Sequence, residues 1–454
     1  MRATAWSAPV VLASTAWRER LRTSTWRWGS AFALPILAAL AGAGFGAAMT
    51  GAEALDPARA VFGPAVVTDG ETARGGLFAL LGLELTLLGF VLSASTGALY
   101  GLAANHSQRL VPFLEPSRPL FRAAVGFAIT TGYVLAAVQR LGPAEVVAPR
   151  PVVTVGIAIA LATVVTVMVD AALSLRKQAI SQMLRVVTTA TRRAVAKGRA
   201  RTRAWRAPPD SEAIDGPPIC AHRSGFVRDV DAARLVRDAA RFDARVRIDR
   251  AIGEYVMEGE PLGRVSAADA ARAAQRIARA LILGESRSTE HDVGAGLRVL
   301  VDIAERALSP AVNDPYTGCE ALFRVRWILA ELASVPDGDW VLVDDAGEAR
   351  VSIARPSFEE LVWLAVDGPC RYGAADPDVL DAVLDVASAI GREPSRRECA
   401  RRVVARVLAD AGSRGMGPER VALLEAKASR VLHQLGERSA VSPRLWSLAA
   451  DRRR

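Results

Sequence analysis

Four long apolar runs crowd the first 175 residues of this chain, and nothing else in it limits the choice of fold so severely. Crossing the hydrocarbon core of a bilayer takes roughly 20 mostly apolar residues in helical form. Gly29 to Ala52 reaches that length without a charge, and Gly75 to Ala104 carries one acid, Glu84. Ala123 to Gln139 and Pro151 to Val169 are shorter and also charge-free. Runs placed this closely predict a four-helix transmembrane region over residues 29–175, with spans at about 29–52, 75–104, 121–140 and 151–175.

The flanking charges predict an orientation. Residues 1–28 hold Arg2, Arg18, Arg20, Arg22 and Arg27 against Glu19, whereas the loop after the first run mixes Glu53, Asp56, Asp69 and Glu71 with Arg59 and Arg74. Arg109, Arg118 and Arg122 lie between the second and third runs, and a basic stretch follows the fourth. The positive-inside rule then puts both termini of a multi-pass protein in the cytoplasm. A chain that is 51% hydrophobic and still 23% charged fits a membrane part joined to a charged soluble part.

Inside the second run, Glu84 is costly in lipid unless paired, protonated or facing water. With Ser93 and Thr96 it forms a candidate intramembrane polar path. The structural alternative is that small hydroxyl residues let helices approach closely and bond their own backbone.

Residues 176–218 read as a basic juxtamembrane helix followed by a linker. Arg176 to Arg206 contains ten Lys or Arg and no acid, and Ile180, Leu184, Val187, Thr191 and Val195 recur at helical spacing. Such a cluster beside a membrane is drawn to anionic lipid head groups. With Trp205 as its one aromatic, it does not point to nucleic acid.

Residues 219–454 predict a cytosolic α+β domain with a small β unit and a helical C-terminal part. Val246 and Ile248 alternate with charged neighbours as in a half-buried strand, and IGEYVMEGEPLGRV predicts a hairpin turned at Glu258–Gly259. Ser266 with Asp269 suggests a helix start of the capping-box kind. Helices are expected from about His291 to Leu308 and from Pro315 to Ala333, a hairpin over 340–353, and helices from Ser357 onward.

Between the first two of these helices lies RALSPAVNDPYTG, residues 306–318. Pro310 cannot continue a helix, whereas Asp314 and Pro315 suit an N-cap and first helical position. That explains the prolines and Asp314 as a helix stop and start, and leaves Arg306, Ser309, Asn313 and Thr317 clustered with Asp314 at one helix terminus. A ligand or partner site is the functional alternative, and Asp314 there favours a cation or basic group.

The stretch RSTEHDVGAGLRVLVDIAERALSPAVNDPYTG resembles the signature of a bacterial family of predicted membrane proteins, domain of unknown function 2254. The matching positions are Arg287, Asp292, Leu300 to Ala304, Arg306 to Pro310, Asn313 to Pro315 and Thr317; Ser288 stands where Thr is usual and Gly318 where Ala is commoner. SGFVRDVD, GEYVMEGEPL and SQRLVPFL are similar to further family segments. The resemblance implies a multi-span protein of the bacterial cytoplasmic membrane with this cytosolic domain, and brings no activity with it. Together with Asp302 on the same helix, the candidate site is Arg287, Asp292, Asp302, Arg306, Ser309, Asn313, Asp314 and Thr317.

Catalytic and cofactor patterns do not emerge. The four histidines make no metal spacing, the four cysteines form no CxxC pair, and P-loop, dinucleotide and nucleophile-elbow motifs do not occur. Glu290, His291 and Asp292 are adjacent and read as surface charge, since neighbours on a helix do not share a face. The expectation is therefore a non-enzymatic protein without a cofactor. It is either a membrane-anchored scaffold or sensor that binds a partner or small ligand, or an oligomeric channel or transporter that uses the second run.

Overall fold

A computed structural model describes residues 37–45, 70–105, 107–109, 117–140, 150–176, 180–204, 214–411 and 416–436. The chain divides into two compact units, one within Met1–Asn105 and Leu114–Ala179, the other within His106–Phe113 and Ile180–Arg454.

The first unit is helical, with α1 (Gly70–Asn105), α2 (Ser117–Arg140) and α3 (Arg150–Arg176) following a helical stretch at 37–45. Leu77 of α1 and Tyr133, Val134 and Ala137 of α2 form one buried cluster. Glycines set the spacing of the helices. Gly42 meets the backbone carbonyl of Ile129, and Gly132 meets that of Ala39, so closely that neither position has room for a Cβ. Small residues at helix crossings bring backbones together in this way.

The expectation of four transmembrane helices is corrected here. Among the described residues, one helical stretch is long and apolar enough to cross a membrane, Gly70–Ala94 in α1. The apolar parts of α2 and α3, Ala123–Gln139 and Thr154–Val169, are shorter than the roughly 20 residues a crossing requires. Both helices are longer than their apolar parts because polar residues extend them: α2 is flanked by Arg118, Arg122 and Arg140, and α3 runs on through Asp170 to Arg176. Of the first expected span, 37–45 is helical and the remainder lies outside the described residues.

The second unit opens with the basic helix α4 (Ile180–Ala204). Its apolar stripe, including Met183, Leu184, Val187 and Val195, is buried within this unit. A sheet region follows, built from β1 (Pro218–Cys220), β2 (Gly225–Val230), α5 (Ala232–Arg241), β3 (Arg245–Ile248), β4 (Tyr255–Val256), β5 (Pro261–Ser266), α6 (Ala270–Ala278) and β6 (Leu281–Gly284). Then come α7 (Val293–Ala307), α8 (Pro315–Ala333), β7 (Trp340–Val343), β8 (Ala349–Ile353), α9 (Phe358–Tyr372), α10 (Pro377–Ile390), α11 (Arg397–Ala411) and α12 (Pro418–Gln434).

The strands make two sheets, ordered β1-β5-β3-β8-β7 and β4-β2-β6. Pairing is antiparallel except between β3 and β8, where Val246 stands opposite Val351. Gly259 has φ +83° and does make the turn between β4 and β5. The two strands nevertheless diverge, β4 pairing with β2 and β5 with β1 and β3, so the segment is not the simple hairpin expected. Strand residues Ile219, Val246, Ile248, Leu262, Val351 and Ile353 form a core with Leu235 of α5 and Ile277 of α6. The helix expected to start at Ser266 is capped by Asp269, which accepts from the Arg272 amide. At the centre of the helical layer α7 packs against α4, α8 and α9, and its Leu297, Leu300 and Val301 are fully buried.

Candidate functional site

The loop from α7 to α8 is held by its own hydrogen bonds. Helix α7 closes with the Leu308 amide donating to the Ala304 carbonyl at 2.9 Å. The Ser309 hydroxyl then donates to the Arg306 carbonyl at 2.7 Å, and the Ser309 carbonyl accepts from the Asn313 amide at 2.8 Å. Asn313 has φ +49°, the left-handed region that Asn tolerates better than most residues. Asp314 caps α8, accepting from the Thr317 amide at 3.1 Å and the Thr317 hydroxyl at 2.5 Å. Those bonds, the hydroxyl's first, hold its carboxyl below the ordinary range. Ser309, Asn313, Asp314 and Thr317 thus spend these polar groups on the stop and start of two helices. Outward, the loop exposes Pro310, Ala311, Val312 and Asn313, flanked by exposed Arg306 at the end of α7 and Tyr316 at the start of α8.

Asp302, one turn before the loop, ties a distant segment to α7. It accepts from the Ser107 hydroxyl at 3.0 Å and from Arg109 Nη1 at 2.6 Å.

Arg287 and Asp292 meet at the opposite end of α7. Arg287 donates through Nε to Asp292 Oδ2 at 2.7 Å and through Nη2 to Oδ1 at 3.1 Å. Asp292 is also the N-cap, accepting from the Ala295 amide at 2.9 Å, and its side chain is 2% exposed. Gly253 lies over this pair with φ +99°, and a Cβ there would stand 2.7 Å from Arg287 Nη2. Only glycine suits both the conformation and the space. A helix of 15 residues is about 22 Å long, so the eight sequence candidates divide among its start, middle and end rather than forming one site.

A pocket opens at the Arg287–Asp292 end. It has a volume of about 90 Å³, and its wall includes Arg199 from α4, His291 and Asp292 before α7, Trp340 of β7, Arg355 and Phe358. The guanidinium of Arg355 lies 5.3 Å from the centre of the Trp340 ring and that of Arg201 lies 5.5 Å from it, distances at which cation–π attraction operates. Burial depresses the pKa of Arg355. Arg201 donates to Asp229 at 2.8 Å, and His291 Nε2 stands 3.6 Å from the same carboxylate. Asp337, also on the wall, pairs with Arg396. Arg199 donates to the Glu331 carbonyl at 2.6 Å and to the Ser334 hydroxyl at 2.8 Å.

His291 is not surface charge. Its side chain is 9% exposed, whereas neighbouring Glu290 turns outward to Lys197 at 2.9 Å. Arg199, Trp340 and Arg355 escape sequence reasoning because nothing in their local patterns marks them; they meet only when α4, β7 and the segment before α9 pack together. His291 did carry a signal, its place beside the capping Asp292.

The intramembrane candidates do not converge within the first unit. Glu84 is 3% exposed and accepts from the Thr130 hydroxyl at 3.2 Å. Ser93 is exposed and, nine residues on, lies about half a turn out of phase with Glu84. Thr96 donates back to the Leu92 carbonyl at 2.8 Å. Among the described residues, no group of three or more His, Cys, Asp or Glu is arranged to hold a metal.

Uncharacterised proteins of Mycobacterium tuberculosis and Mycobacterium bovis are 34% identical to this chain over 209 residues, a match covering 44% of the chain and 40% of each relative. The match thus spans about two fifths of the length of these relatives. No solved structure matches the chain. The family model described as predicted membrane protein, domain of unknown function 2254, matches residues 28–389, and the chain belongs to that family of membrane proteins.

Proposed function

We propose that this membrane protein is a sensor or scaffold whose larger unit faces the cytoplasm and holds a small ligand in the pocket beside Trp340. The observation that carries the reading is the balance of charge on the pocket wall. Each of its two carboxylates is already held by an arginine, Asp292 by Arg287 and Asp337 by Arg396. Arg199 donates instead to a neutral carbonyl and a hydroxyl. A site with cationic surplus and an indole beside Phe358 suits a small anion with a flat apolar part. The ten Lys and Arg of residues 176–206 support the cytoplasmic side.

Thermal unfolding of the full chain in detergent tests this, with benzoate and p-nitrophenyl phosphate as probes. A rise of several degrees with millimolar probe is expected, and its loss in Arg199→Gln and Trp340→Leu. No rise with either probe, together with no small molecule released from the purified protein on heating, would sink the reading.

The alternative of an oligomeric channel or transporter draws on one observation, the buried Glu84–Thr130 contact between two apolar helices. Ion flux into liposomes carrying the purified protein separates the two readings; flux that Glu84→Gln abolishes favours the channel.

A further inference from the structure

Helices α4 and α8 run side by side and parallel. The Ser181 hydroxyl donates to Glu320 at 3.2 Å, and Arg192 Nε donates to Glu331 at 2.8 Å, both pairs 139 residues apart. The apolar stripe of α4 is spent on packing within the unit, so its polar side faces outward. On α8 the outward side is aromatic. Tyr316, Phe323 and Trp327 fall within about 40° of one another around the helix, and they are 83%, 51% and 45% exposed. Val312, in the loop just before, is 50% exposed.

Cations border this stripe. The Arg192 guanidinium lies 3.9 Å from the centre of the Trp327 ring, and exposed Arg185 stands on the same side of α4, two turns earlier. The two nearest acids are engaged, Glu331 by Arg192 and Glu320 by Ser181 and by Arg324 at 3.5 Å. Over its 25 residues α4 carries seven Lys or Arg and no acid.

We infer that the face made by α4 and the Val312–Trp327 stripe of α8 rests on the anionic headgroup layer of a membrane. Tyr and Trp settle at the water–lipid interface, where an apolar ring and a polar edge are both accommodated. Exposed Arg185 brings positive charge to the same plane, where anionic lipid attracts it, and Arg192, held by Glu331, covers the Trp327 ring. A neutral protein partner would match the aromatics and leave exposed Arg185 without complement. The loop at 309–314 thereby acquires a role its internal hydrogen bonds do not supply: it presents Val312 next to Tyr316 of α8.

The test uses the full chain with Cys220→Ser and a single added cysteine, Tyr316→Cys or Phe323→Cys, carrying a bimane label. The protein is reconstituted in vesicles of phosphatidylcholine and phosphatidylglycerol containing brominated lipid. A label at Leu423→Cys on α12, an exposed position outside the face, is the reference. Quenching of the 316 and 323 labels at least twofold stronger than the reference is expected. It should fall to the reference level in pure phosphatidylcholine and in Arg185→Gln, an exposed change that leaves the packing of α4 intact. Quenching no stronger than the reference overturns the inference. So does equal quenching in the two lipid mixtures, or cross-linking between copies through position 316 or 323.

Discussion

Replacing Asp292 by alanine is the most informative single perturbation, because that carboxylate serves three donors at once. It accepts two hydrogen bonds from Arg287 and one from the Ala295 amide, in a side chain 2% exposed. Loss of an N-cap costs about 1 kcal/mol. Hydrogen bonds to a charged group contribute roughly 1.5–3 kcal/mol, and the lower part of that range applies because Arg287 is 34% exposed and can rehydrate. The sum is about 3 kcal/mol. In a unit of this size each kcal/mol lowers Tm by about 2–4 °C, so Asp292→Ala should fall by roughly 6–12 °C. Asp314→Ala removes a cap whose surroundings are wetter, and should fall by roughly 2–4 °C for its ~1 kcal/mol. Thermal unfolding of the full chain in detergent, followed by circular dichroism, gives both numbers. Asp292→Asn keeps an acceptor for Ala295 and loses the charge, so it belongs between them. If Asp292→Ala stays within 1 °C of the parent, or loses less than Asp314→Ala, the assignment of this carboxylate as the buried anchor of α7 is wrong.

Two further outcomes follow from the titrating groups. The folded-state pKa of Asp314 lies below its ordinary 3.8, so its contribution is present above that value and fades as pH drops through the folded pKa; unfolding midpoints measured from pH 5 down to pH 2 should therefore fall more gently in Asp314→Asn than in the parent. Burial pushes the Cys319 and Cys399 thiols to about 11 and that of Cys370 to about 12, whereas Cys220 is exposed. Thiol titration with a disulfide reagent at pH 8 should count one reactive cysteine in the folded chain and four after denaturation, and a second fast thiol in the folded chain would contradict that packing.

Much of the local structure was legible without coordinates. Asp314 and Pro315 announce the start of α8 because capping and fixed φ act within one turn. The 340–353 hairpin and the approximate boundaries of α7 follow from patterns of the same short range. The span count went wrong although the lengths were in view: Ala123–Gln139 falls short of the roughly 20 residues a crossing takes, and its closeness to the other apolar runs does not make up for that. Nor was the basic helix α4 fully readable: its periodicity predicts an apolar face, but whether lipid or protein covers that face depends on α7 and α8, more than a hundred residues away.

The candidate site divides along the same line. Local chemistry accounts for Ser309, Asn313, Asp314 and Thr317, whose partners lie within seven residues of them. Asp302 could be marked as notable but not explained, because its partners are Ser107 and Arg109, nearly two hundred residues away, whereas Asp292 has local partners in Arg287 and Ala295 and only its burial under Gly253 needs the tertiary structure. The parallel pairing of β3 with β8 brings together strands a hundred residues apart. Trp340, on the strand beside β8, is carried with that pairing to Arg199 and Arg355. Capping, turns and periodicity are short-range forces, and the order of residues is enough to reveal them. Burial and charge compensation are properties of neighbours in space, and they exist only once the sheets and helices have closed.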